Sequence, residues 1–105
     1  MKIKISEKDT QRTILDYLDK KRIFHWRNNS GAFKSELGGF YRFGQTGSPD
    51  IFMVIDGKIY GLEVKSSIGK QSDSQKDWQE RFEKVGGIYL LLKSFEDLEK
   101  YGYCK

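Results

Sequence analysis

Apolar residues fall along this chain in distinct rhythms, and each rhythm predicts a different element. Between residue 7 and about residue 21, Ile14, Leu15 and Leu18 recur at helical spacing, which predicts an amphipathic helix. Ser6 stands where an N-cap belongs, with Asp9 three residues on as a weaker form of the reciprocal cap. Continued backwards, the stripe meets Gln11 and then Glu7, so a carboxylate lies in line with the core-facing side of the helix. A second helix opens at Ser72 or Asp73, carries the stripe Trp78, Phe82 and Val85, and stops at Gly86-Gly87. Its stripe, continued backwards, meets Gln75. Ser94 with Asp97 starts a short terminal helix, FEDLEKY.

Other stretches alternate or run continuously apolar, which predicts strands. RIFHWR (22–27) is one, and FYRF (40–43) is a second, short and aromatic. Residues 28–39 are polar and contain glycine, so they read as a loop. Residues 44–49, GQTGSP, form a turn-rich lead-in. The strongest signal is IFMVI-DG-KIYGLEVK, two apolar runs around Asp56-Gly57, a two-residue hairpin turn. The run IYLLLK (88–93) suits a strand covered on both faces. The order helix, strands, helix, strand implies an α/β fold with a sheet of mixed direction. Its last strand lies parallel to the strand bearing Glu63, and helices cover the sheet.

The hairpin carries the candidate chemistry. With Asp56 and Gly57 as the turn, Ile55 faces Lys58, Ile51 faces Leu62, and Asp50 faces Glu63. Side chains alternate, so Asp50, Glu63 and Lys65 project to one side. A three-residue loop would instead throw the two acids onto opposite faces. Opposed carboxylates destabilise a sheet, and a divalent cation between them removes that penalty. Mg²⁺ takes hard oxygen ligands, usually one or two carboxylates plus waters and phosphate oxygens. The Val64 carbonyl can add another. Lys65 then brings an ammonium to a bound water or to a phosphate, a set that can activate water and neutralise charge building on phosphorus.

Composition narrows the setting. The 105 residues suffice for one domain, and 37% hydrophobic with 32% charged residues describes a soluble globular chain. The net charge of +4 permits a polyanionic partner. A lone cysteine, Cys104, supports neither an internal disulfide nor a cysteine-rich zinc site, which points to a reducing compartment. No apolar run is long enough to span a bilayer, and the opening MKIKISEKD lacks the apolar stretch of a signal peptide. The expectation is a cytoplasmic protein of a bacterial or phage-infected cell, neither secreted nor bound to membrane.

Pro49-Asp50 followed by Glu63-Val64-Lys65 resembles the PD-(D/E)XK nuclease signature. With Glu7 and Gln11 on the first helix, Gly47-Ser48 before Pro49, residues 72–75 opening the next helix, and Gly86-Gly87 before an apolar strand, nearly the whole chain resembles the VRR-NUC family, the virus-type replication-repair nucleases. The resemblance implies a restriction-endonuclease-like core in α-β-β-β-α-β order. It implies an endonuclease dependent on Mg²⁺ or Mn²⁺ that cuts DNA. Asp50, Glu63 and the Val64 carbonyl hold the metal, and Lys65 orients or activates the attacking water. Glu7 matches a helix-borne acid that aids a metal through water or a second ion, and Gln75 a glutamine at the same site. Compact members of this type imply a homodimer acting on branched DNA such as four-way (Holliday) junctions, hence a place in DNA repair.

Phosphate contacts need cations near the site, and Lys70, Lys76, Arg42, Lys34 and Arg27 are the candidates. Trp26, Phe33 and Tyr41 can stack on unpaired bases, although core packing accounts for most such aromatics. His25, the single histidine, is expected to be packed rather than catalytic. Two other classes compete. One is a module that binds nucleic acid without cutting it, which leaves the paired acids unexplained. The other is a metal-dependent hydrolase of a non-nucleic substrate, which the basic balance disfavours.

Overall fold

A computed structural model describes residues 6–29 and 31–100. The first helix, α1 (Glu7–Lys20), is capped as the sequence predicts, with Asp9 N–H donating to Ser6 Oγ at 3.1 Å. It ends in a Schellman turn at Arg22, whose φ is +55°. There Arg22 N–H donates to Asp19 O, and Ile23 N–H donates to Leu18 O. This turn uses residues 22 and 23, so the first strand, β1, starts later than expected, at Phe24–Arg27.

The predicted loop at 28–39 needs correction. It contains β2 (Gly31–Lys34), which pairs antiparallel with β3 (Phe40–Phe43) as a separate two-stranded ribbon. The backbone reverses over residues 35–39, where Ser35 N–H donates to Gly39 O at 2.7 Å and Gly38 takes φ +87°. The FYRF strand is thus present but outside the main sheet.

The hairpin forms in the expected register. Strands β4 (Ile51–Ile55) and β5 (Lys58–Val64) pair from Ile55↔Lys58 to Ile51↔Leu62. Asp56 and Gly57 have φ of +51° and +77°, the left-handed pair of a type I′ turn. The second helix, α2 (Asp73–Lys84), leads to β6 (Ile88–Leu92), then α3 (Phe95–Lys100). The sheet runs β1-β4-β5-β6, with β6 parallel to β5 and the other pairs antiparallel. This is the mixed sheet anticipated, and β6 lies at its edge. Cys104 and the end of FEDLEKY lie outside the described residues. None of the described helices is long and apolar enough to cross a membrane.

Period-two alternation splits the core between the two faces. Ile51, Met53, Leu62 and Val64 pack with Ile14 and Leu18 of α1 and Leu98 of α3. Phe52 and Ile59 face the other way, against Trp78 and Phe82 of α2 and Tyr89 of β6. Full burial of a side chain such as Leu62 stabilises the fold by about 2 kcal/mol. Glu63, odd-numbered like Ile59, therefore lies on the α2 face.

Residues 44–49 are held against α2. Trp78 Nε1–H donates to Gln45 Oε1 at 2.7 Å. Gly47 has φ +85°, and a Cβ there would lie 2.3 Å from Ser74 O. Pro49 is fully buried, and its ring lies over Gly61, where a Cβ would come within 2.9 Å of Pro49 Cγ. Gly47→Ala therefore meets both backbone strain and a backbone clash. Gly57→Ala, at φ +77° with open space around it, meets strain alone. Urea titration is expected to show a loss of about 1 kcal/mol for Gly57→Ala and clearly more for Gly47→Ala. Equal losses would contradict the close seating of the lead-in on α2.

Candidate active site

The β4–β5 ladder stops at Ile51↔Leu62. Asp50 bends out of it, its N–H donating to Leu62 O at 3.1 Å, and its Oδ2 accepts from Val64 N–H at 2.8 Å. The simple cross-strand opposition of Asp50 and Glu63 is thus refined: Asp50 turns its carboxylate onto the backbone just beyond Glu63. In an extended strand a residue's N–H and C=O lie on the same edge. The Val64 carbonyl therefore points along the edge that Asp50 occupies.

Glu63 is 3% exposed, and its two oxygens differ. Oε1 accepts from Gln75 Nε2 at 2.5 Å and lies 3.7 Å from Lys65 Nζ. Oε2 is buried without a hydrogen-bond partner among the described residues. Gln75 is held from its other end, because its Oε1 accepts from Ser72 N–H at 2.8 Å in a complete capping box. Glu7 reaches the same strand end from α1, its Oε1 accepting from Ser66 N–H at 2.8 Å. Lys65 N–H donates to Leu92 O, which anchors the strand end to β6.

The charges do not sit comfortably. Burial, reinforced by the Asp50 charge, pushes Glu63 up from 4.5 to about 7, while Lys65 pulls it back. Asp50 is also raised, by burial first, against the lowering effects of the Val64 N–H and Lys65; the Glu7 charge adds to the rise in both. A buried oxygen without a donor, on one of two acids whose ionisation is resisted, is where a cation would remove the strain. Among the described residues no group of three His, Cys, Asp or Glu side chains gathers at metal-binding distance. Two carboxylates and a carbonyl fit a hard ion that keeps water and phosphate in its shell.

The other sequence candidates divide. Arg27 and Gln11 line a cavity of about 190 Å³ with Asp50. Lys34 lies on the separate ribbon opposite Phe40, and Lys70 and Lys76 are exposed before and within the first turn of α2. No hydrogen bond or ion pair joins Lys34, Lys70 or Lys76 to the acids. The side chains of Arg42 and Phe33 lie outside the described part of the structure. Trp26 stacks on Phe52 at 5.3 Å yet stays 41% exposed, and Tyr41 is exposed. His25 is held locally, Nδ1 donating to Ile23 O at 2.7 Å and Nε2 lying 3.2 Å from Asp19.

Sequence reasoning missed Asn28. Its Nδ2 donates to Ser48 Oγ and Pro49 O, both at 2.8 Å, and its N–H donates to Asp50 O at 2.7 Å. It ties the end of β1 to the residues that present Asp50, and no periodicity marks it. Gln71 was also missed. Its Nε2 donates to Gln79 Oε1 and Tyr89 Oη, where burial pushes the Tyr89 phenol up to about 12.

A solved structure of a VRR_NUC domain matches this chain with a TM-score of 0.67 at 21% sequence identity, covering 91% of this chain and 94% of that one. That likeness shows the fold, and it is the fold implied by the resemblance in the sequence. No protein-family model and no curated protein matches the sequence.

Both raised acids bind protons more tightly folded than unfolded, so ionising them favours the unfolded chain. Their contribution is full below the unfolded-state value and is lost as pH rises through the folded one. For Glu63 that window runs from 4.5 to about 7. The melting temperature of the metal-free protein is expected to fall across this window, and Glu63→Gln should remove most of the fall. Thermal melts that stay flat or rise with pH there would contradict the assignment.

Proposed function

We propose that this chain is a metal-dependent endonuclease that hydrolyses DNA phosphodiester bonds. One observation carries the proposal: the paired acids Asp50 and Glu63 converge with the Lys65 ammonium while Glu63 Oε2 is left buried without a donor. The VRR_NUC-like fold and the basic balance of the chain support it. Mg²⁺ or Mn²⁺ would be held by Asp50, Glu63 and the Val64 carbonyl. When bound, such an ion lowers the pKa of a water and neutralises charge on the phosphoryl oxygens.

The remaining work falls to the chain's own residues. Val64 N–H fixes the orientation of Asp50. Gln75 grips Oε1 of Glu63, which leaves the buried, donorless Oε2 as the oxygen a metal would take. Lys65, next to Oε1, would orient the attacking water and offset negative charge that develops on phosphorus. Glu7 fastens Ser66 and so fixes the strand end that carries Glu63 and Lys65. Its charge is felt by both Asp50 and Glu63, and it would act on a second ion through water. The resemblance to compact VRR-NUC proteins extends the proposal to a homodimer that selects branched DNA such as four-way junctions.

The test is cleavage of linear, flap and four-way DNA with Mg²⁺ or Mn²⁺ and with EDTA. Wild type cuts only with metal. Asp50→Ala, Glu63→Ala and Lys65→Ala each lower the rate by about 100-fold or more. Gln75→Ala, which removes a support rather than a ligand, lowers it by about 10- to 100-fold. Full activity in Asp50→Ala rejects the mechanism. Binding without cutting by wild type, across metals and substrates, makes the chain a binding module instead.

A further inference from the structure

The cavity beside Asp50 separates polar groups that are already used from polar groups that are not. Its wall is built by Asn28, Ser48 and Pro49. Asn28 spends both amide hydrogens on that wall, Ser48 Oγ donates to Gln45 O at 2.7 Å, and Asp50 Oδ2 is held by Val64 N–H. Gln11, Arg27 and Asn29 also line the cavity, and their side chains hydrogen-bond to none of the described residues. They come from different segments, Gln11 from α1, Arg27 from the end of β1 and Asn29 from the chain beyond it. Three sets of N–H donors without hydrogen-bond partners among the described residues thus meet around a space of about 190 Å³ that Asp50 also lines, where the Arg27 charge offsets that of the carboxylate.

The donor set identifies the guest. A guanidinium fork matches the paired non-bridging oxygens of a phosphodiester, and carboxamides extend the same recognition as neutral donors. A nucleobase would bring flat apolar faces, and no aromatic side chain lines this cavity to meet them. Arg27 pairs across the sheet with Ile51, so its position is fixed by the strand that leads out of Asp50.

We propose that this cavity seats the phosphodiester adjoining the one at Asp50 and Glu63, with Arg27 as its cationic ligand and Gln11 and Asn29 as hydrogen-bond donors. This assignment rests on the nuclease reading and deepens it. The seat sets which phosphate of the strand falls at the acids, and because it grips backbone it reads no base sequence.

The test is a methylphosphonate walk: single-stranded oligonucleotides of one sequence, just long enough to fill the site so that the strand cannot shift register, each with one neutralised phosphate, are bound to the protein without divalent ion and followed by fluorescence anisotropy. In wild type, one position weakens binding by about 10-fold, as expected for one charge-assisted contact. In Arg27→Ala the unmodified strand is weakened by a similar factor and that position becomes insensitive. The slope of log K against log salt falls by about 0.7. Gln11→Ala and Asn29→Ala weaken binding without changing the slope. Arg27 is exposed and hydrogen-bonds to none of the described residues, and its charge reaches Asp50 only as the last of five effects on that carboxyl, so its variant should melt close to wild type. Additive effects of Arg27→Ala and every methylphosphonate overturn the seat. The two readings separate with metal present. A cut one phosphate from the sensitive position supports both. Cutting with additive effects sinks the seat alone, and an Arg27-dependent position without cutting sinks the nuclease reading alone.

Discussion

The β4–β5 register governs what the rest of the molecule can be. Two consecutive left-handed residues, Asp56 and Gly57, close the hairpin in two residues, and the side-chain period of two does the rest. Ile51, Met53, Leu62 and Val64 go to the face of α1 and α3; Phe52, Ile59, Gly61 and Glu63 go to the face of α2. A slip of one residue would set Glu63 among Ile14 and Leu18 and strip the core from both faces. The burial of an acid is thus forced by the same register that makes the hydrophobic core. The fold cannot relieve Glu63 by turning it outward without losing the packing that stabilises it.

Given a buried acid, the surrounding structure holds it without neutralising it. Gln75 and Lys65 address one oxygen and leave the other alone. Residues 44–49 bring a second acid alongside by a chain of close fits: Gln45 to Trp78, Gly47 against Ser74, Pro49 over Gly61, and Asn28 across the lead-in. Each raises the cost of moving Asp50 away. A sheet optimised for stability alone would hold an apolar residue at position 63. Keeping two ionisable oxygen donors there instead is intelligible if something positively charged is their partner.

Much of this was legible because it is local. The Asp-Gly turn fixes a register within a few residues, and Ser72 with Gln75 announces a capping box, which is why the convergence of Asp50, Glu63, Lys65 and Gln75 could be read from spacing. What was illegible depends on distant partners. Gly31 to Lys34 carries no strand pattern of its own and becomes β2 only by pairing with β3. Asn28 looks like any polar loop residue until Ser48 and Pro49 are folded against it. The rotation of Asp50 onto Val64 N–H follows from the end of a ladder, which alternation does not describe. The basic residues illustrate the same limit, since charge alone does not tell Arg27, at the cavity, from Lys34, on the ribbon.

Gln75 shows how tightly local and distant demands are joined. At the third position of a helix, glutamate and glutamine both complete a capping box, and the acid would also complement the helix dipole. Here the Oε1 of Gln75 is committed to Ser72 N–H, so only the amide nitrogen remains to face Glu63. A glutamate at this position would cap the helix as well, yet would turn a further carboxylate oxygen toward an acid already resisting ionisation. The helix alone does not require glutamine, but the site does. The choice is explained only when the capping bond and the bond to Glu63 are read as two ends of one amide, which makes the start of α2 part of the site.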